Sequence, residues 1–466
     1  MKRTMRLHRD RKFLEREVIE AIRRGERCFI TSNSKGFIDT IHRMILNECG
    51  QDIVMRVITR DNSRDEATVR FVKNIKTEFL NVQVVLGSPS IGTGIDITFP
   101  NGECRVDRVF GFFFSFVNTH TDIDQQLSRV RNPGSIDLWI SPTTFRFTSN
   151  VDVIKDDLAR AYFVRRAVRG RRPDGMVEYN RDDPLLMICA HITALRRASM
   201  NRLVELFCEL REQNGWAIER VGEKAESSPF KAAKEMLAAE RAEKLFKAPT
   251  MLDADFIELE ALVLGGASLT DEERFAYQKN HFERTVGVVL DCELIQMNGD
   301  GRLIDRIAAL TEIVSIWSKD YLGELIDMHL DLTLDPNGRL QHTKPEILIA
   351  VLMRAAGLTT AKGFDADVMV SLDGISRFVS ICRDNRTVIE DLLGEPLRGD
   401  FEAKPVGQLN RFLRRIGLRL AKAKTKKLAG RKLRYYAVPC DLLDRMTGLA
   451  RSYLEVKARK EAVREM

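Results

Sequence analysis

The chain has 466 residues, 44% hydrophobic and 30% charged. That is the balance of a folded globular protein, long enough for two to four domains. No apolar run approaches the length of a membrane span, and the basic start Met1-Lys2-Arg3-Thr4-Met5-Arg6 lacks the apolar core of a signal peptide, so the expectation is a cytoplasmic protein without membrane contact. Its 8 cysteines are scattered with no Cys-x-x-Cys pair, which argues against a zinc knuckle or a disulfide framework. The net charge is +7, and residues 402–466 carry 18 Lys and Arg against 6 acids, so polyanion binding is first a question about the carboxyl terminus.

In chain order, residues 1–24 read as a basic amphipathic helix with Phe13, Val18, Ile19 and Ile22 on one face. From Arg27 to Ser141 strands then alternate with helices. The expected strands are Cys28 to Thr31, Ile53 to Ile58, Val82 to Leu86, Val106 to Phe114 and Ile136 to Ile140. The expected helices are Phe37 to Cys49, about Asp65 to Lys73, and Asp124 to Arg131. Such alternation predicts a mainly parallel sheet with helices on both faces and ligand loops at the carboxyl ends of the strands.

From residue 148 to 399 the pattern is mainly helical. Periodicity is clearest in Pro184 to Arg211 and Ile304 to Trp317, Pro229 to Lys247 reads as a solvated helix, and Thr343-Lys344-Pro345-Glu346 is a helix start. This middle region announces no chemistry. Val289-Leu290-Asp291-Cys292-Glu293 reads as a strand or helix edge, and the seven histidines have no ligand spacing.

Residues 402–456 have a third character. Pro405 to Gly417 is a helix with Val406, Leu409, Leu413 and Ile416 on one side and Gln408, Arg411 and Arg415 on the other. Two β-like stretches follow, Leu418 to Lys424 and Lys432 to Val438, joined by a basic turn containing Gly430. A helix followed by a basic hairpin is the tail of a winged-helix DNA-binding module, whose phosphate contacts would come from Arg411, Arg414, Arg415, Lys424, Lys426, Lys427, Arg431, Lys432 and Arg434. Tyr435 and Tyr436 would stack or fill the module's core.

Two elements of the first region carry chemistry. Ser88-Pro89-Ser90-Ile91-Gly92-Thr93-Gly94-Ile95-Asp96 is a Gly-rich turn after an apolar strand. Gly92 and Gly94 let backbone approach an anion, and Ser90 and Thr93 add hydroxyl donors. Asp124-Gln125-Gln126-Leu127-Ser128-Arg129-Val130-Arg131 is a polar, basic helix between two apolar strands. Asp122 and Asp124 invite a metal reading, but Thr121 three residues before Asp124 is a capping arrangement, and acids suit a helix start.

These stretches, with the strand and loop Arg27 to Gly36 before them, resemble motifs IV, V and VI of superfamily 2 helicases, in the correct order and over about a quarter of the chain. The wording is closest to the origin-binding and plasmid-replication group. The resemblance implies a second RecA-like lobe over residues 11–147, with Gly92, Thr93, Gly94 and Asp96 near ATP. Asp96 would orient the turn or meet the ribose. Gln125 and Arg129, at i and i+4 on one helix face, would reach the outer phosphate, and Ser34, Lys35 and Ser90 would lie at nucleic acid; plain solvent exposure is the alternative for Lys35. The family's glycine is replaced by Ser128 and its second arginine falls on Asn132, leaving Arg131 one place early.

Gly followed by Lys never occurs, so the chain has no phosphate loop to grip ATP and magnesium. The expected architecture is therefore an α/β RecA-like lobe, a helical region and a winged-helix-like basic module. The expected role is the carboxyl-terminal portion of a DNA replication helicase, able to use ATP and magnesium only if a separate polypeptide carries the first lobe. The alternative is a non-enzymatic DNA-binding or adaptor protein with the lobe as scaffold.

Overall fold

The computed structural model describes residues 3–88, 96–160, 165–171, 177–299, 301–317, 345–360, 363–364, 368–371, 373–428 and 431–465. They form two compact units. One comprises residues 1–145 and 198–277, the other residues 146–197 and 278–466.

The first unit is built on a seven-stranded, all-parallel sheet of β1 (Arg3–His8), β2 (Cys28–Ser32), β3 (Met55–Ile58), β4 (Val84–Gly87), β5 (Val106–Phe113), β6 (Pro133–Ile140) and β9 (Trp216–Val221), in the order β3-β4-β2-β5-β6-β1-β9. Its helices are α1 (Arg11–Arg23), α2 (Lys35–Cys49), α3 (Glu66–Lys73), the single turn α4 (Ile75–Glu78) and α5 (His120–Leu127). The five expected strands form, each within a few residues of its predicted ends.

Two strands were not expected. Arg3–His8, read as the start of a helix, is β1. Its alternating Met5 and Leu7 are buried in the core, and the helix begins only at Arg11, where Asp10 accepts a hydrogen bond from the Lys12 amide at 3.0 Å. Trp216–Val221, inside the region read as helical, pairs with β1 along its whole length. The sheet's outer strand therefore comes from beyond the expected boundary at residue 147.

The two faces of the sheet carry separate cores. Val18, Ile19, Ile22, Ile38, Ile41, Phe110 and Phe112 pack on one side, and Phe29, Phe79, Val109, Phe113, Ile123, Leu127 and Phe207 on the other. Buried on both faces, the strands read as continuous apolar runs. Gly111 is required by the second face: a Cβ there would come within 2.9 Å of Leu127 Cδ2 and 2.7 Å of Phe113 Cε2.

In the second unit, α6 (Val151–Arg160) packs against α7 (Pro184–Asn201) through Ile154, Ala190 and Ala194, beside the small pair β7 (Val168–Arg171) and β8 (Val177–Tyr179). Back in the first unit follow α8 (Leu203–Gln213), α9 (Phe230–Lys247) and α10 (Asp253–Leu264), while α11 (Asp271–Val286) runs on into the second. The helix read as solvated, α9, buries Ala233 and Leu245, and its Phe230 ring stacks on Phe37 of α2 at 4.8 Å.

The second unit continues with α12 (Cys292–Met297), α13 (Leu303–Trp317) and α14 (Pro345–Ala355), then the short pair β10 (Thr359–Thr360) and β11 (Gly363–Phe364) and the strand β12 (Val370–Ser371). It ends with α15 (Ser376–Asp384), α16 (Arg386–Leu393), α17 (Pro405–Leu413), the hairpin β13 (Ala421–Leu428) and β14 (Arg431–Ala437), and α18 (Cys440–Glu465). The Asp291 stretch is a helix start: its carboxylate caps α12 by accepting from the Leu294 amide at 2.8 Å. The expected hairpin forms, and its outer edge pairs with β12 to give a three-stranded antiparallel sheet.

Candidate functional site

Strand register decides where the candidate residues lie. β5 and β6 are parallel, with Val106 opposite Pro133 and Phe113 opposite Ile140. The chain leaves β5 at the carboxyl edge of the sheet, descends through α5 and enters β6 at the amino edge. Residues 128–132 therefore sit at the amino edge, opposite to the expectation that both motifs would occupy the strands' carboxyl ends.

The helix also differs from its expected bounds. It spans His120–Leu127, because Thr119 and Asp122 form a capping box and Pro133 already belongs to β6. The cap read as Thr121 and Asp124 falls instead on that earlier pair. Arg129 consequently lies in the turn that follows the helix and Arg131 in a bend, on either side of the bridge residue Val130. The Ile97 amide donates to the Arg129 carbonyl at 2.8 Å, and Ile97 bridges Val130 in parallel. Gln125 and Arg129 do not share a helix face, since Gln125 is exposed and Arg129 is only 8% exposed. The buried glutamine is Gln126, whose side chain meets Thr31 at 3.4 Å.

This bridge brings the two predicted motifs together. Asp96 accepts from Thr98 at 2.8 Å and from Arg131 at 3.0 Å, and these two bonds hold its carboxyl below the ordinary range. Asn132, at the place of the missing second arginine, accepts from Arg3 of β1 at 3.2 Å. A cation thus reaches that point from a strand the sequence did not reveal. Arg129 makes no side-chain hydrogen bond or ion pair among the described residues, and burial lowers the pKa of its guanidinium. Gly92, Thr93, Gly94 and Ser90, the residues just ahead of Asp96, lie outside the described residues.

Arg211 of α8 fixes this arrangement and had no sequence signal. It is 2% exposed, lies 2.7 Å from the Asp124 carboxylate, and donates to the Asp124 carbonyl at 3.0 Å and to Ser128 Oγ at 3.1 Å. Trp216 lies under its guanidinium at 5.3 Å. Asp124 is thereby engaged by an arginine, and no cluster of metal-binding side chains exists among the described residues. Ser128 has a role here that a glycine could not fill, as acceptor for Arg211.

At the carboxyl edge, Ser34 caps α2 by accepting from the Phe37 amide at 3.3 Å. Lys35 pairs with Asp61 and, at 3.7 Å, with Asp39, in a polar cleft of about 510 Å³ that His42 and Arg274 also line. Asn33 ties β2 to β5, donating to the Phe114 carbonyl at 2.7 Å and accepting from its amide at 2.8 Å.

One buried network supports the sheet between these edges. Asp137 of β6 is fully buried and accepts from Arg6 and Arg108 at 2.8 Å, with His8 Nε2 also at 2.8 Å. Burial alone would raise its pKa, but the His8 hydrogen bond and the charges of Arg108 and Arg6 prevail and set it at about 2.

In the second unit, α17 buries Leu409, Phe412 and Leu413, with the Phe378 and Phe412 rings edge to face at 6.1 Å. Gln408, expected on the outer face, is fully buried and accepts from the Arg398 amide at 2.8 Å. Arg411 and Arg415 are held by Glu395, at 2.9 and 3.3 Å, and by the carbonyls of Pro396 and Leu393. Arg414 is exposed.

On the hairpin, Lys422, Lys424 and Lys426 are exposed, as is Arg434 opposite Thr425. Lys424 and Lys426 flank the Tyr435 ring at 5.7 and 5.8 Å, within cation–π range. Lys427, Arg431 and Lys432 occupy the turn end of the register.

No protein-family model matches the chain, and no curated protein does. Among solved structures it is similar to the Mss116p DEAD-box helicase domain 2 bound to an RNA duplex, at 13% identity over 64% of this chain and 87% of that one, with a TM-score of 0.26. At that identity and score the likeness decides nothing about activity. No described helix is long and apolar enough to cross a membrane.

Proposed function

We propose that the chain is a nucleic-acid-binding protein whose first unit is a RecA-like second lobe of a helicase and whose basic hairpin anchors it to DNA. The observation that carries this reading is Arg129. Its side chain is nearly buried and has no counter-charge among the described residues, so an anion that reaches the guanidinium would be favoured. It lies beside the bridge that joins Ile97, next after Asp96, to Val130 in the segment after α5. A nucleotide phosphate presented from a separate first lobe suits such a site, and ATP with magnesium would then be gripped by that other polypeptide. The chain by itself has no phosphate loop and would not turn ATP over.

The anchor is the hairpin of a winged-helix-like module, α15 to α17 with β12 to β14, whose exposed lysines suit backbone phosphate. A role in replication, of the origin-binding or plasmid type, is the finer form of this proposal and rests on the motif wording alone.

A second reading has an observation of its own. Lys35, Arg131, Arg411 and Arg415 all pair with carboxylates within the chain, as they would in an adaptor whose lobe is only scaffold. Two measurements separate the readings. Thermal unfolding with added pyrophosphate should show stabilisation of the wild type and none of Arg129→Ala. Anisotropy titrations with single- and double-stranded DNA should show steep salt dependence that the hairpin variant Lys422→Ala, Lys424→Ala, Lys426→Ala loses. Anion stabilisation that survives Arg129→Ala sinks the lobe reading, and absence of DNA binding sinks the DNA anchor and leaves the adaptor.

A further inference from the structure

Helix α7 buries one face and leaves the other to solvent. Leu186, Ala190 and Ala194 are buried, while Leu185, Ile188, Ile192 and Leu195, on the opposite side, are 42%, 56%, 52% and 72% exposed. The spacing of the exposed set, three, four and three residues, is that of a helix-packing seam. Isolated exposed leucines need no explanation, but four large aliphatics aligned over three turns do.

We infer that this seam takes a second copy of the same chain, with the two α7 helices antiparallel. The seam is its own complement. When two copies are reversed about Ala190, Leu185 falls opposite Leu195 of the partner and Ile188 opposite Ile192, so every layer pairs one large aliphatic with another. A two-fold interface demands this self-complementarity. The flanking charges are close to the same symmetry. Exposed Arg196 near the helix end falls at the level of residue 184 of the partner, two residues from exposed Asp182 just ahead of the helix and within reach of an arginine side chain, and neither has an ion pair among the described residues. A parallel alignment would set Asp182 against Asp182 and lose both attractions. Antiparallel pairing also brings half-buried Cys189 close to its own copy across the axis. Eight partly exposed aliphatic side chains make an interface smaller than a standard one, so association should be concentration-dependent, at micromolar protein. This inference is independent of the functional reading, since it uses no residue of the sheet or the hairpin.

The test is sedimentation velocity of the full chain across about two decades of concentration, combined with a short bismaleimide cross-linker. The expected result is a reversible dimer, weakened at least tenfold by Leu195→Glu and cross-linked in the wild type but not in Cys189→Ser. Arg196→Asp and Asp182→Arg should each weaken the dimer, and together restore it. Restoration excludes misfolding as the cause of the losses. A monomer at every concentration overturns the inference, as does a dimer indifferent to Leu195→Glu. A dimer that Cys189 does not cross-link overturns the antiparallel alignment.

Discussion

The sheet unit and the basic hairpin hold arginines and lysines in opposite ways. In the sheet unit several cations are buried: Arg129 without a partner among the described residues, Arg211 against Asp124, Arg108 against Asp137. On the hairpin Lys422, Lys424, Lys426 and Arg434 are exposed, and two of these lysines flank Tyr435. Buried cations are worth much because their partners are specific and water is excluded, so each acts on one group in one geometry. Exposed lysines are individually weak and act as a field, felt by any polyanion and screened by salt. The same residue types thus serve positioning in one unit and capture in the other.

The contrast can be broken at several points. The largest effect is expected from Asp137→Asn, which leaves Arg6 and His8 without their shared carboxylate and Arg108 with Glu17 at 3.1 Å. The first unit should lose about 3–5 kcal/mol, read by urea unfolding followed through the fluorescence of Trp139 and Trp216. The same carboxylate gives an acid limb. Its folded pKa of about 2 lies below the ordinary aspartate value of 3.8, so its stabilisation is complete above about pH 5 and is lost as pH falls through 4 toward 2. That loss amounts to about 2 kcal/mol, and Asp137→Asn should flatten the limb. If the limb persists unchanged in the variant, Asp137 is not its source.

On the hairpin, replacing Lys422, Lys424 and Lys426 by Ala should lower DNA affinity at least tenfold, about 1.4 kcal/mol, and reduce the log–log salt slope by about 3, with no change in unfolding. A slope that does not move would show that the phosphate contacts lie elsewhere. The smallest effect sharpens the comparison most. Arg129→Met removes a nearly buried charge that has no counter-charge among the described residues while keeping volume, so it should stabilise the first unit by about 1 kcal/mol while abolishing the pyrophosphate response. A loss of stability instead would mean that Arg129 is satisfied within the chain.

Much of this was legible in the sequence, for a physical reason. The strands β2 to β6 are apolar runs punctuated by turn residues, and that pattern is local. The hairpin was visible for the same reason, as two basic β-like stretches flanking Gly430. β1 was missed because a strand between two neighbours at the sheet's edge shows only Met5 and Leu7 as its apolar signal, amid arginines that also suit a helix. β9 was missed because its partner lies more than 200 residues away, beyond the reach of any periodicity. The error at α5 was one of boundary. The apolar and polar pattern from His120 to Arg131 allows several helical windows, and the Thr119–Asp122 cap together with the Ile97–Val130 bridge selected the earlier one.

By itself the sequence determined which residue types could meet an anion and roughly in what order: a Gly-rich turn, a polar helix ending in arginines, a basic hairpin. Those properties are carried by local composition and need no partner to be read. The tertiary structure alone decided on which edge of the sheet Arg129 would lie, that Asp96 would hold Arg131, that Arg3 would stand beside Asn132, and that Glu395 would occupy Arg411 and Arg415. Whether a cation is free, paired or buried depends on groups tens to hundreds of residues distant, because charge interactions are set by distance and dielectric in space and not by separation along the chain.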